Sequence, residues 1–247
     1  MAGIFKAYDI RGIYGKDLTD EMAYKIGRAF ATFTGCKKVV VARDIRPHSE
    51  PLFAALAQGL TEQGADVMDI GHGSTPMSYF ANGTLGADAS VMITASHNPA
   101  EWNGFKLCRA QAVPISGATG ILDIEKIASE GSFAPKAGRP GTVSRVDILP
   151  RFAAHVARFA HLKRPVHLAI DFANGMGIWE AQTLKGILTW DGLFEEPDGR
   201  FPNHEANPLH HATLKDLQEK VRAGSYAFGV AFDGDADRAG FIDEKGE

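Results

Sequence analysis

Cysteine is scarce in this chain, long apolar runs are missing, and basic residues are not in excess. The only cysteines, Cys36 and Cys108, form neither a CxxC pair nor a disulfide framework, so reduced thiols are expected. No run approaches the length of a membrane span. The opening "MAGIFKAYDIRG" has no apolar core followed by a small-residue cleavage site, so the chain is expected to be cytoplasmic. The 26 Lys and Arg face 30 Asp and Glu, a formal charge of −4. That balance gives no footprint for nucleic acid. Small anionic substrates stay open, because local Arg and Lys can bind phosphate in an acidic protein.

What is present is the rhythm of an α/β protein. The 247 residues suffice for one large α/β domain or two ordinary ones. "KKVVVARD" (37–44) reads as a buried strand, since three consecutive valines favour a doubly covered position. "SEPLFAALAQGLTEQG" (49–64) has helical spacing, with Ser49 as its expected N-cap and Gly64 as its stop. "ADVMDIG" (65–71) is a strand, "TPMSYFANGTLG" a helix and "ASVMITAS" (89–96) a third strand. This β–α–β–α–β order argues a doubly wound sheet, with ligands beyond the carboxyl ends of its strands. Ser96 lies at one such end. Gly, Pro and Ser then crowd residues 131–145, which read as a linker. A second β/α series follows, with helices at 148–160, 178–188 and 213–224 and strands at 166–175 and 225–234. The sequence ends on "FIDEKGE", inside an apparent turn, so the natural protein is expected to continue beyond Glu247.

Two stretches carry chemistry. In "VMITASHNPA" (91–100) an apolar strand runs into Thr94, Ser96, His97 and Asn98. A hydrolase triad is disfavoured: no G-x-S-x-G elbow surrounds Ser96. Adjacent residues on an extended backbone also point to opposite faces, so His97 is not expected to serve as its base. A plain strand-exit turn is the alternative, since Asn-Pro favours turn initiation. The second stretch is "FDGDADRAGFIDE" (232–244), in which Asp233, Asp235 and Asp237 alternate with small residues. Three carboxylates so close repel unless a cation holds them. The spacing mimics an EF-hand loop, but Arg238 occupies the position that needs Gly and the flanks read as strands. A solvated acidic turn is the other reading. Arg238 favours metal and phosphate together, because a guanidinium suits a phosphate bridging to the ion. Further cations for a phosphate are Arg11, Arg43, Arg46 and Lys106, with Gly12 and Gly104 permitting tight turns beside Arg11 and Lys106. Arg43 is also a candidate structural partner for Asp44. "NGMGIWE" (174–180) half-matches a dinucleotide fingerprint, but Glu180 stands at its third glycine position, which argues against NAD.

Taken together, "YDIRG" (8–12), "TASHNP" (94–99), "NGFK" (103–106), "EPDGRFPNHEANP" (196–208) and "DGDADR" (233–238) resemble the α-D-phosphohexomutases, in the phosphomannomutase/phosphoglucomutase branch. The resemblance implies two consecutive doubly wound α/β/α domains with mixed, mostly parallel sheets. Residues 1–140 would be the first, with a phosphoserine loop, and 141–247 the second, with a metal-binding loop. It implies that Ser96 is the phosphoserine, and that Asp233, Asp235 and Asp237 bind Mg²⁺ with Ser96 as a further ligand. Arg11, His97, Lys106 and Arg238 would surround the transferring group, with Lys106 ahead of His97 as acid/base. Tyr8, Arg11, Asn98, Lys106 and Arg238 would bind substrate or phosphate. The implied reaction interconverts a hexose 1-phosphate and a hexose 6-phosphate, of mannose or glucose, through a hexose 1,6-bisphosphate. One departure is Ala42, where the family often has Gly.

The family also has a third and a fourth domain, which contribute sugar- and phosphate-binding loops. This chain covers the first two, so weak or no full turnover is expected of it alone. Two other readings remain: a metal- and phosphate-binding module without turnover, and a metal-dependent sugar-phosphate phosphatase.

Overall fold

The computed structural model describes residues 3–247. They divide into two compact units. One holds the described residues up to Gly73 with Met77–Ala95 and Glu101–Asp147; the other holds Ser74–Pro76, Ser96–Ala100 and Ile148–Glu247. Among the described residues, no helix is long and apolar enough to cross a membrane.

In the first unit, chain order runs through β1 (Ile10–Ile13), α1 (Asp20–Thr34), β2 (Lys38–Arg43), α2 (Ser49–Glu62) and β3 (Asp66–His72). It continues through α3 (Thr75–Thr84), β4 (Ala89–Ile93), β5 (Trp102–Arg109), α4 (Ile121–Glu130) and β6 (Val143–Arg145). The first residues of α3, Thr75 and Pro76, belong to the other unit. The strands form one sheet in the order β1-β5-β4-β2-β3-β6. β4, β2, β3 and β6 are parallel, and β5 and β1 join antiparallel at the edge. Every residue of β4 and all but the first of β2 are buried, as expected of strands covered on both faces. Ile26 and Phe30 of α1, Leu52, Leu56 and Leu60 of α2, and Val39, Val41, Val91 and Phe105 of the sheet share one core.

Helix α1 is begun by Thr19, whose extended backbone lets its Oγ1 accept the amide of Met22 at 3.2 Å, with Asp20 and Glu21 in the first turn. A side-chain cap of this kind satisfies an amide that has no intrahelical partner. Thr19→Ala is expected to lower stability by about 1 kcal/mol, read as an earlier midpoint in urea denaturation.

The second unit is built from α5 (Leu149–Ala157), β7 (His167–Asp171), α6 (Gly177–Thr183), β8 (Thr189–Leu193), α7 (Lys215–Ala223), β9 (Gly229–Phe232) and β10 (Ala239–Ile242). Its sheet order is β10-β9-β7-β8, parallel except for the β10–β9 pair. Successive side chains of a strand point to opposite faces, and β7 shows the consequence. Leu168 and Ile170 pack with Phe172, Ala181 of α6 and Val230. Ala169 packs on the other face with Leu217 and Val221 of α7. The sheet is therefore layered between helices. Two consecutive α/β/α domains with mixed, mostly parallel sheets is the fold that the sequence resemblance implied.

Several local expectations need correction. Ser49 does not cap α2: His48 occupies the cap position and makes no side-chain capping bond to the helix, and Ser49 is fully buried, donating to Asp44 Oδ1 at 2.7 Å. Gly12 and Gly104 are not in turns but in the paired strands β1 and β5, where Gly104 faces Arg11. A β-carbon on Gly104 would strike the carbonyl of Ile10, so its role is the close approach of two strands. Residues 131–145 are not all linker, since β6 adds an edge strand beside β3. Arg43 pairs with Glu50 and Asp69, each at 2.7 Å, and lies over the Phe53 ring at 4.2 Å. It is Arg46 that pairs with Asp44, at 3.1 Å, while also donating to the carbonyl of Trp102 at 3.0 Å. Both arginines are buried, and these contacts give them structural work inside the first unit.

Candidate active site

Strand β4 stops at Ile93, and the chain turns at Ser96, whose φ of 53° puts a non-glycine residue in the left-handed region. L-residues adopt that conformation rarely and at a cost, and such strain gathers at functional sites. Ser96 is fully buried, and its hydroxyl donates to Asp233 Oδ2 at 2.8 Å. Arg238 Nη2 donates to the same hydroxyl oxygen at 3.3 Å. His97 Nδ1 also lies 3.3 Å from it. The expectation that the His97 ring would point away from Ser96 is therefore corrected. It assumed an extended backbone, and the left-handed turn at Ser96 brings the ring to the hydroxyl.

The acidic loop joins β9 to β10 and is closed by its own ends. The Asp233 amide donates to the Arg238 carbonyl at 3.2 Å, and the Arg238 amide donates to Asp233 Oδ1 at 3.1 Å. Strands on both sides of the loop rule out the EF-hand. Asp233, Asp235 and Asp237 each bring one carboxylate oxygen to within 4.8 Å of the others, and the first two are fully buried. Burial, then the charges of Asp235 and Asp237, push the Asp233 carboxyl up to about 7. A buried carboxylate cluster of this kind has its charge satisfied by a hard cation with oxygen ligands, so the residues present fit a metal ion. Arg238 stands beside the cluster, with Nε 3.8 Å from Asp233 and 3.7 Å from Asp237.

The second unit thus brings together Ser96, His97, Asp233, Asp235, Asp237 and Arg238, and Asn98 follows in the same turn, half-buried. Tyr8, Arg11 and Lys106 belong to the first unit. Tyr8 is 81% exposed. Arg11 pairs with Asp9 at 2.7 Å and donates to the carbonyl of Ala95 at 3.2 Å. Lys106 is half-buried on β5, in register with Met92.

Sequence reasoning missed the residues that brace the loop. Thr75 donates its hydroxyl to Asp235 Oδ2 at 2.6 Å, and its amide donates to the Asp235 carbonyl at 3.0 Å. Ser74 hydrogen-bonds Glu180, whose carboxyl is pushed up to about 6 by burial. The amide of Met176 donates to the Gly234 carbonyl at 3.0 Å, and the Gly234 amide to the Ala206 carbonyl at 3.2 Å. The only local signal was at Glu180, an acidic residue inside a glycine-rich strand-to-helix turn.

Residues 194–206 are braced in turn by His204. Its Nε2 lies 3.0 Å from Asp171 and its Nδ1 2.8 Å from the Glu205 carbonyl. Burial opposes a charge on this ring, but the bonds to Asp171 and Glu205 outweigh it and raise the pKa above 6.5. A histidine with a raised folded pKa stabilises fully below its unfolded value, and that contribution is lost as pH rises through the folded value. Urea midpoints are therefore expected to fall as pH rises from 6.5 through that window, and His204→Gln removes this part of the slope. An unchanged slope in the variant would contradict the assignment.

Comparison with known proteins then decides the family. Residues 2–135 match "Phosphoglucomutase/phosphomannomutase, alpha/beta/alpha domain I" and residues 150–246 match domain II of the same family. The chain belongs to this family. It is 40% identical to a phosphomannomutase of Escherichia coli over 252 residues, covering 98% of this chain and 55% of the relative. It is also 40% identical to a phosphoglucomutase of Neisseria meningitidis serogroup B, covering 98% and 53%. A crystal structure of a phosphoglucomutase/phosphomannomutase family protein from Burkholderia thailandensis superposes with a TM-score of 0.92 at 36% identity, covering 99% of this chain and 55% of that one. The chain spans about half the length of the curated relatives it matches.

Proposed function

We propose that the chain is the phosphoryl-carrying half of a phosphohexomutase, with Ser96 as the carrier. The enzyme would interconvert a hexose 1-phosphate and a hexose 6-phosphate, of mannose or glucose, by way of a hexose 1,6-bisphosphate. In this reading the two units are its first two domains, with the boundary after Asp147 and not at 140/141 because β6 pairs with β3 of the first sheet. The remaining domains of the same enzyme are its partners. One observation carries the proposal: a buried serine in strained backbone shares its hydroxyl with Asp233 and Arg238 beside a three-carboxylate cluster.

Asp233, Asp235 and Asp237, joined by Ser96, would hold Mg²⁺, which supplies positive charge against the phosphate oxygens. Phosphoryl transfer needs little from protein beyond a nucleophile, positioning and charge neutralisation. Ser96 Oγ attacks a phosphorus of the bisphosphate; the new O–P bond forms as the sugar O–P bond breaks. The hydroxyl proton moves to a nearby base, and the departing sugar oxygen takes up a proton. His97 and Lys106 are the candidate groups for this exchange, and the contact of His97 with Ser96 Oγ supports its part. Arg238 and Arg11 neutralise the phosphoryl group, with Tyr8, Asn98 and Lys106 contributing to substrate binding.

Incubation with glucose 1,6-bisphosphate and Mg²⁺, followed by chromatography of the sugar phosphates, tests the reading. A carrier releases hexose monophosphate in stoichiometric amount with the chain and then stops. Continuous release of inorganic phosphate would support a phosphatase instead. No product at all would favour a binding module.

A further inference from the structure

We propose that Thr75 is a positioning residue for the metal cluster: its hydroxyl fixes the plane of the Asp235 carboxylate and so its approach to a divalent ion. This inference rests on the metal reading above. Thr75 and Asp235 lie 160 residues apart in sequence, and both are fully buried.

Thr75 holds Asp235 at two points. The hydroxyl donates to Oδ2 at 2.6 Å, and the amide donates to the main-chain carbonyl at 3.0 Å. The first bond sets the carboxylate, and the second sets the backbone that carries it. A carboxylate is planar, so holding one oxygen also sets the direction of the other. Helix geometry makes the amide bond possible, because the first amides of a helix have no intrahelical partner. Thr75 begins α3, and Pro76 follows at a helix start, where a missing N–H costs nothing. The neighbouring Ser74, fully buried, is tied to Glu180 of α6 through their side chains. Ser74–Pro76 is thus secured on one side to α6 and on the other to the acidic loop.

An ordinary threonine at a helix start offers its oxygen to its own helix. Here the hydroxyl proton is committed to a residue of the candidate metal site. Groups that orient a metal ligand in this way are worth roughly 10- to 100-fold in metal affinity.

The test is Mn²⁺ binding to the full 247-residue chain, read as the fall in the free-ion electron paramagnetic resonance signal, with circular dichroism to follow folding. Thr75→Val keeps the size and loses the hydroxyl; Thr75→Ala loses both. Each is expected to weaken Mn²⁺ binding roughly 10- to 100-fold, while Thr75→Ser stays close to wild type. Equal affinity in wild type, T75V and T75A would overturn the proposal, as would a loss in T75S as large as in T75V, which indicates packing alone. Asp233→Asn and Asp235→Asn separate the two ideas. If they lose Mn²⁺ and the Thr75 variants do not, only the role of Thr75 fails. If they bind as wild type does, the metal reading fails and the Thr75 role with it.

Discussion

A Ser96→Ala chain takes up no phosphoryl group from glucose 1,6-bisphosphate, while wild type gains one phosphoryl mass in intact-mass spectrometry. The substitution removes a single oxygen, and that oxygen is the nucleophile of the proposed transfer. No other hydroxyl is held between Asp233 and Arg238 as Ser96 is, at 2.8 and 3.3 Å, among the described contacts. The fold has little reason to change, because alanine fills nearly the same space. Helix content by circular dichroism is therefore expected to match wild type, so that loss of uptake reports chemistry and not unfolding. Uptake at the wild-type level in S96A would move the carrier elsewhere.

Gly234→Ala is expected to slow phosphoryl uptake about 100-fold, the scale on which displacing a reacting group by about 1 Å acts. A β-carbon at this position would run into the carbonyl of Ser96. Neither side has an easy retreat. The Gly234 backbone is bonded through its amide to Ala206 and through its carbonyl to Met176. Ser96 already occupies a strained left-handed conformation. The new methyl group therefore displaces the Ser96 hydroxyl or the acidic loop. Single-turnover uptake measured by rapid quench checks it, and a rate equal to wild type would show that the loop yields without moving Ser96.

Both variants act on a candidate site whose residues were largely legible in the sequence. The alternation of Asp233, Asp235 and Asp237 with small residues needs no tertiary information to be read as a cation site. The same holds for an apolar strand ending in Ser96. Consecutive valines in β2 likewise announced a doubly covered strand. What the sequence hid was geometry that depends on distant partners. Ser96 is held in its left-handed turn by tertiary structure, and no local pattern distinguishes it from an extended residue; hence the misreading of His97. Thr75 reads locally as a helix-start threonine, and only folding brings it to Asp235. Arg43 and Arg46 carry the composition of a phosphate site, yet the sheet and α2 surround them with Asp69, Glu50 and Asp44. Gly104 resembles a turn glycine in sequence, although its reason is a neighbouring strand.

The central claim is that Ser96 carries the phosphoryl group. Phosphosite mapping by tandem mass spectrometry tests it most directly, on the chain as purified and after exposure to Mg²⁺ and glucose 1,6-bisphosphate. The account predicts phosphate on Ser96 and on no other serine or threonine of the second unit. Phosphate at another residue, or none on Ser96 under either condition, would contradict it.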